Sequence, residues 1–415
     1  MKRFSKISTL ALTGICFSSV AANAAGWQLS DYSMTGLGRA YAGAGVAGDD
    51  YSALAYNPAG MTLAQTSGAQ IGAAVIYEHS DVKAVYGGRA DDLNADIVNK
   101  VPNLFAQYRI NDRVTAGFGI YVPFGLSIEY DRDWLGSDHG IHSELTGIDY
   151  SAGVAVKATD KLSLGFAAIA RHAQITLTST TPHPVFGQGY NRFEMDDWST
   201  VLHFGAMYEF NKDSRVGVSY RTRSQQAVKG RSSIMNGTAA AREFTAKLTT
   251  DAPEQVLISG YHKLNNKVAL TGSAKWTRWT RFRALDIANM EFPALSVEVS
   301  QRWKNVWNLA VGADYFYSDK LTLRAGVGFD KTPVPNNRER TASIPDNDRW
   351  EFSVGASYRA NGNLTYDIGY MFLYLPHYSV LNARHNLAGT PAVAPITAKY
   401  QTTAHVLGLQ VQYAF

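Results

Sequence analysis

The chain has 415 residues, 46% of them hydrophobic, 12% aromatic and only 18% charged, with 36 Gly, 13 Pro, 23 Tyr, one Cys and a formal net charge of +4. Apolar and aromatic content this high excludes a disordered chain, and beyond residue 25 no uncharged apolar run approaches the roughly 20 residues that a membrane helix needs. A large secreted β protein or an outer-membrane barrel remains.

At the amino terminus Lys2, Arg3 and Lys6 precede an apolar stretch from Ile7 to Val20 and a small-residue site, Ala22-Asn23-Ala24. This order reads as a secretory signal peptide over residues 1–24, with the mature chain starting near Ala25. Losing those three basic residues takes the net charge from +4 to +1, so nothing in the exported chain recruits nucleic acid. Cys16, the only cysteine, lies inside the signal, which leaves the exported protein without thiol or disulfide. A lipoprotein reading of Cys16 fails because Ile15 stands where a lipid-attachment site needs a small residue.

Residues 25–68 show no strand alternation and are rich in Gly and Ala, from Gly36-Leu-Gly38 through Gly43-Ala-Gly45 to Asn57-Pro58-Ala59-Gly60. Such a segment can compact only inside something else. Its glycines do not make a phosphate loop, since no strand precedes them and no lysine follows at the required spacing.

Beyond about residue 70 the pattern becomes alternation at period two in segments of about ten residues. In the last one His405, Leu407, Leu409, Val411, Tyr413 and Phe415 share a face opposite Ala404, Gly408, Gln410 and Gln412, which separates lipid from lumen. Segments led by Trp307, Trp350 and Leu364 repeat it, with aromatics near their ends as in interfacial girdles. Short polar turns fall at Asn111-Asp112, Thr159-Asp160-Lys161, Asn211-Lys212-Asp213, Asn265-Asn266-Lys267, Ser318-Asp319-Lys320 and Asn361-Gly362-Asn363. Longer connections are expected near residues 80–100, 123–142, 179–195, 224–243, 279–303, 331–348 and 375–401. Six turns and seven loops join 14 strands, provided that Phe244 to Leu264 is one strand bent at Pro253. The expectation is an all-β, 14-stranded antiparallel transmembrane barrel over residues 69–415. Its lumen is too wide for side chains alone to fill, so residues 25–68 are expected to plug it. A soluble β-sandwich or propeller would also alternate, but the terminal Phe415, the missing disulfides and the turn and loop asymmetry argue against one.

Ala25-Gly26-Trp27-Gln28-Leu29, Gly36-Leu-Gly-Arg-Ala-Tyr-Ala-Gly43, Asp49-Asp50 and Asn57-Pro58-Ala59 resemble the amino-terminal hatch of the FadL family, outer-membrane transporters of long-chain fatty acids and other hydrophobic molecules. The likeness continues through Pro123-Phe-Gly-Leu-Ser127, Thr332-Pro-Val-Pro335 and Ser343-Ile-Pro-Asp-Asn-Asp-Arg349 to Tyr413-Ala-Phe415. The resemblance implies a 14-stranded barrel with a hatch, passive ligand-gated uptake without chemical change, and lateral release where the third strand bends. It implies that Asn57, Pro58 and Ala59 lie beside that bend, and that Trp27 touches ligand or anchors the plug. Gly117 and Gly119, ahead of Pro123, are the expected sites of the bend.

A carboxylate cargo in a low-dielectric lumen needs a cation, and alternation turns Arg171, Lys304 and Arg324 inward. Structural ion pairs with Asp314, Asp330 or Glu351 are the other use for these cations. The second and third loops carry Phe124, Leu126, Ile128, Trp134, Leu135, Ile141, Val185 and Phe186, apolar surface that marks an access groove or packing between loops. Asp138-His139-Gly-Ile-His142 lacks a second ligand pair, so no metal is expected, and no cofactor or nucleophile motif is recognised. The sequence thus points to a monomeric barrel taking a long-chain fatty acid or another hydrophobic small molecule inward and contacting outer-membrane lipid and lipopolysaccharide. The rivals are uptake of aromatic or alkane hydrocarbons, a lipid hydrolase, and a general porin.

Overall fold

The computed structural model describes residues 26–183, 187–236, 239–291, 296–385 and 391–415. The expected signal peptide and two residues of the expected groove, Val185 and Phe186, lie outside the described residues. Fourteen strands run up and down: β1 (Gly68–Tyr86), β2 (Arg89–Arg109), β3 (Val114–Glu129), β4 (His142–Lys157), β5 (Leu162–His183) and β6 (Gly187–Asn211). Next come β7 (Ser214–Arg221, continued by Ser224–Asn236), β8 (Ala239–Ala252, then Gln255–Lys263) and β9 (Val268–Thr277, then Ala284–Asn289). They are followed by β10 (Val297–Ser300, then Val306–Phe316), β11 (Leu321–Asp330), β12 (Arg349–Arg359), β13 (Leu364–Tyr374, then Ser379–His385) and β14 (Pro391–Ala414). β1 pairs antiparallel with β14 from Gly68 opposite Ala414 to Tyr86 opposite Ile396, which closes the cylinder. The strand broken at Pro253 is one strand of the cylinder, with both halves of β8 paired to both halves of β7.

Each of the six short turns falls where the polar clusters are. Most of the long connections do not. The first is a two-residue hairpin at Gly87-Gly88, where φ values of 57° and 77° suit glycine and the strand twist. Around it the strands continue, with Val82, Ala84 and Ala95 buried and Asp81, Lys83, Asp92 and Asp96 among the residues facing out. Strand likewise replaces much of residues 179–195, 224–243 and 375–401. These stretches read as loops because strands that rise beyond the hydrocarbon keep their inward apolar residues but lose the outward ones that make alternation visible. The connection at 331–348 is the loop expected there, and the second loop shortens to residues 130–141.

The outward face defines the bilayer band. Tyr108, Phe210, Tyr317, Tyr358, Tyr413 and Phe415 are exposed near the short turns, Trp198, Trp307, Trp350 and Tyr374 toward the loops, and Leu164, Leu270, Val311 and Leu409 between them. Among the described residues no helix is long and apolar enough to cross a membrane.

Residues 26–67 are almost entirely buried and carry two single-turn helices, α1 (Met34–Leu37) and α2 (Ala53–Tyr56), followed by a 3-10 turn over Pro58–Leu63. They touch inward faces around the circumference: Arg39 lies on Gly326 of β11, Ala59 on Gly165 of β5, and Met34 on Gly408 of β14. A Cβ at Gly326 would stand 2.2 Å from the Arg39 carbonyl carbon, so only a strand without a side chain admits the segment's backbone there.

Candidate functional site

The amino-terminal segment meets the strands at three depths. Nearest the short turns, Arg39 bonds to Asp49 at 2.7 Å and Asp314 at 3.0 Å, while Arg324 reaches Asp49 at 3.0 Å, Asp314 at 3.3 Å and Ser357 at 2.5 Å. Burial alone would raise the Asp49 carboxyl, but Arg39 and Arg324 overcome it and hold it well below the usual carboxylate range. Two guanidiniums and two carboxylates close this cluster on itself. Arg324, expected from the sequence as a ligand contact, therefore ties the segment to β10 and β11, with Asp314 the partner foreseen for it.

At mid-depth Arg171 grips Asp149 through Nε at 2.6 Å and Nη2 at 2.9 Å, and its Nη1 donates to Ser224 at 3.1 Å. Arg221 joins the same carboxylate at 3.3 Å and donates to the Ala55 carbonyl at 2.7 Å and the Tyr121 hydroxyl at 2.9 Å. Lys275 Nζ donates to Ser30 at 2.8 Å. A cavity of about 30 Å³ opens among Gln28, Ser30, Tyr56, His203, Arg221 and Lys275. Here two guanidiniums share one carboxylate, and a third cation holds only a neutral hydroxyl among its hydrogen-bond partners.

Above this floor sits an aromatic cluster. Trp27 lies 4.7 Å from Phe124, 4.9 Å from Trp279 and 5.7 Å from Phe282, ring centre to ring centre, and Trp303 closes on Trp279 and Phe282 at 4.8 and 4.7 Å. Leu126, Ile175, Leu177, Phe193, Met195, Leu248 and Ile287 complete it from β3, β5, β6, β8 and β9. The Arg171 guanidinium stands 4.6 Å over the Phe124 ring and joins cluster to floor. The structure thus brings Trp27, Phe124, Leu126 and Arg171 together.

Several sequence-predicted residues fall elsewhere. Lys304 is exposed, not luminal, because the chain leaves the sheet between Ser300 and Val306 and Arg302 takes a positive φ of 45°. The break shifts the alternation, so Trp303 turns in and Lys304 out. Ile128 and Trp134 are buried with Tyr130, Ala342, Ile396 and Tyr400, and Leu135 is half-buried, its N–H bonded to Asp91 at 3.0 Å. Their apolar surface is used in packing the second loop against its neighbours and is not laid open as one groove with Phe124.

The bend in β3 is present, but not at Gly117 or Gly119. Both sit in the regular ladder with β2, opposite Gln107 and Phe105, where Gly117 receives Met61 and Gly119 the Phe105 ring. Pairing between β2 and β3 stops at Leu104 opposite Ile120, and the register of β3 against β4 shifts between Tyr121 and Phe124. The freed edge of β3 is taken by the amino-terminal segment: Leu29 N–H donates to the Pro123 carbonyl at 2.8 Å and Gly125 N–H to the Trp27 carbonyl at 2.9 Å. Above Leu104, β2 keeps only β1, and its buried Asn99 and Asn103 amides have unpartnered atoms. Asn57-Pro58-Ala59 is not beside this bend. Asn57 caps the 3-10 turn through Ala59 N–H at 3.1 Å and donates to the Ala206 carbonyl at 3.1 Å, resting on Gly165, Gly205 and Gly217 of β5, β6 and β7.

Sequence reasoning missed Asp149, Tyr121, Arg221, Lys275, Trp279, Phe282 and Trp303. One signal was available: in Trp276-Thr-Arg-Trp279-Thr-Arg-Phe282 the aromatics recur every third residue, which breaks strand alternation and marks the 3-10 turn Trp279–Arg281 that turns two rings inward.

A closed antiparallel cylinder with an aromatic band at each edge and a folded segment against its inner wall defines an outer-membrane transport barrel. The chain belongs to the family of outer membrane transport proteins OMPP1/FadL/TodX, whose model matches residues 15–415. It is similar to outer membrane protein P1 of Haemophilus influenzae, 30% identical over 469 residues with 100% of each chain covered. A long-chain fatty acid transport protein of Escherichia coli K12 is 27% identical over 406 residues, covering 87% of this chain and 90% of that one. Among solved structures a Pseudomonas aeruginosa FadL homologue superposes with a TM-score of 0.84 at 24% identity, covering 94% of this chain and 100% of that one. The Pseudomonas putida toluene transporter TodX gives 0.65 at 16% identity, covering 88% and 94%. The protein is an outer-membrane barrel of that family.

Proposed function

We propose that this protein carries long-chain fatty acids inward across the outer membrane by passive diffusion, with residues 1–24 removed on export and residues 25–68 acting as the hatch of the barrel at 69–415. The observation that carries the reading is the pairing of an apolar cluster with a cationic floor. An acyl tail replaces side-chain contacts in the cluster of Trp27, Phe124, Trp279, Phe282 and Trp303, gaining about 0.8 kcal/mol per methylene withdrawn from water. A carboxylate then meets Arg171, Arg221 and Lys275, where charge-assisted hydrogen bonds are stronger than neutral ones. Release through the side of the barrel, between β2 and β3, keeps the tail out of water, and Trp27 to Leu29 are the gate because they hold the free edge of β3.

Uptake of aromatic hydrocarbons is the second reading, favoured by the five clustered rings. Titration of the purified barrel with oleate and with oleyl alcohol separates the two: the first reading expects oleate to bind more tightly and this preference to vanish in Arg221→Gln. Equal affinity for acid and alcohol would favour the hydrocarbon reading. Loss of growth on oleate after deletion of the gene checks transport in the cell.

A further inference from the structure

Outside the lumen, one sector of the outer wall carries basic residues directly above the upper aromatic band. Trp276 of β9 pairs with Trp307 of β10, and Lys331 N–H bonds to the Trp307 carbonyl at 3.4 Å, so these strands present one continuous edge. Arg278 lies two residues beyond Trp276, just past the Thr277 end of this half of β9. Arg281 and Arg283 follow it, and the chain break that turned Lys304 outward places Arg302 and Lys304 next to them: Arg302 N–H bonds to the Arg283 carbonyl at 3.0 Å and Lys304 N–H to the Pro333 carbonyl at 2.8 Å. Of these six cations, Arg278 and Arg281 share the Glu254 carboxylate at 2.8 and 3.2 Å, and Lys331 holds Asp348 at 2.5 Å. Among the described residues no carboxylate lies within ion-pair distance of Arg283, Arg302 or Lys304, all of them exposed. Further along the same strands Asp286 and Glu298 stand opposite each other and exposed, while β1, β2 and β6 mix exposed acids, Asp81, Asp96 and Asp196, with exposed bases, Lys83, Lys100 and Arg192.

We infer that the β9 to β11 sector binds the phosphorylated head group of a glycolipid in the outer leaflet, with acyl chains against Trp307 and Leu309 and phosphates on Arg302, Lys304 and Arg283. Basic residues just beyond a hydrophobic band attract anionic head groups, and a guanidinium pairs with phosphate through two parallel hydrogen bonds. The aromatic row fixes the depth at which head groups lie, and the cations stand at that depth. The partner is membrane lipid because the patch is continuous with the lipid-facing wall.

The test uses the full barrel, refolded in detergent and titrated with lipid A, with dephosphorylated lipid A and with inorganic phosphate, bound lipid being counted by native mass spectrometry. Lipid A is expected to stay bound while the dephosphorylated form and free phosphate do not. Arg302→Gln with Lys304→Gln is expected to weaken lipid A about thirtyfold, near fivefold for each charge removed. Asp196→Asn, on β6 away from this sector, is the control and is expected to leave lipid A binding unchanged. Equal retention of the dephosphorylated lipid, or unchanged retention by the double variant, would overturn the inference. Retention of free phosphate at the same strength would also overturn it, since the site would then be an ion site and not a lipid site. Heat-shifted gel mobility verifies that each variant is a folded barrel before it is scored.

Discussion

Trp27→Ala is the most informative perturbation, because Trp27 belongs at once to the aromatic cluster and to the gate. Its side chain is 3% accessible and packs on Phe124, Trp279 and Phe282. Truncating a buried Trp costs about 3–5 kcal/mol, the removed contacts and the hole left behind counted together. The barrel itself rests on closed ladders through all 14 strands and does not include Trp27 in any of them, so this cost falls on docking of the segment. If undocking opens the gate, its population rises roughly a hundredfold to several thousandfold at about 1.4 kcal/mol per tenfold. Hydrogen exchange at the Leu29 and Gly125 amides, which hold the segment to β3, reads this directly as faster exchange, while heat-modifiable migration of the barrel stays unchanged. Exchange no faster than in the parent protein would refute the idea that Trp27 holds the gate.

Three further outcomes follow from the geometry. Arg221→Gln gives up the Asp149, Ala55 and Tyr121 contacts, and loss of one charge-assisted hydrogen bond to a carboxylate, about 1.5–3 kcal/mol, weakens oleate roughly tenfold to a hundredfold in an equilibrium titration while oleyl alcohol is little affected. Gly326→Ala places a Cβ at 2.2 Å from Arg39 backbone and is expected to expose residues 26–67 to protease, whereas Gly260→Ala, with nothing within 4 Å, leaves the digestion pattern as it was. His139 in the second loop is held below its ordinary pKa by burial, with Asp138 acting the other way. Its contribution to stability is therefore complete above about pH 6.5 and declines as pH falls below that, because the unfolded chain takes up a proton that the folded loop resists. Melting curves between pH 7.5 and 5 should fall in the parent and flatten in His139→Gln; parallel curves would refute the assignment.

The strand number and the turn positions were legible because lipid on one side and lumen on the other impose period two, and because short turns need Asn, Asp and Gly. Alternation of this kind is a bilayer signal, so it faded where the strands rise above the membrane, and stretches such as 80–100 read as loops although Val82, Ala84 and Ala95 continue the inward row. The floor was only partly visible. Arg171 is identifiable from alternation, but Arg221 and Lys275 sit among small polar inward residues that look like any other lumen wall. Arg324 has Asp314 opposite it across the β10–β11 turn, but Asp49, which completes its neutralisation, lies far away in the sequence. Lys304 failed because parity was counted through a backbone break that only Arg302, at positive φ, reveals. The family likeness implied that Asn57-Pro58-Ala59 lies beside the bend in β3, but its neighbours are on β5 to β7, set by the path of the whole segment.

Occupancy of the cluster and opening of the gate are coupled in the proposed cycle because one stretch of chain serves both. The Trp27 ring is a wall of the aromatic cluster, and the Trp27 carbonyl is the acceptor for Gly125 N–H on the free edge of β3. A tail that takes the place of the ring must move the residue, and moving it by more than about an ångström breaks a 2.9 Å hydrogen bond and pulls on the neighbouring one from Leu29 to Pro123. No relay through the barrel is then required. The lower half of the segment, held on glycine backbones and on the closed Arg39, Asp49, Asp314 and Arg324 cluster, has no reason to move with it. The barrel would therefore open at the side between β2 and β3 while its periplasmic end stays shut, which fits an apolar cargo and excludes a steady path for ions.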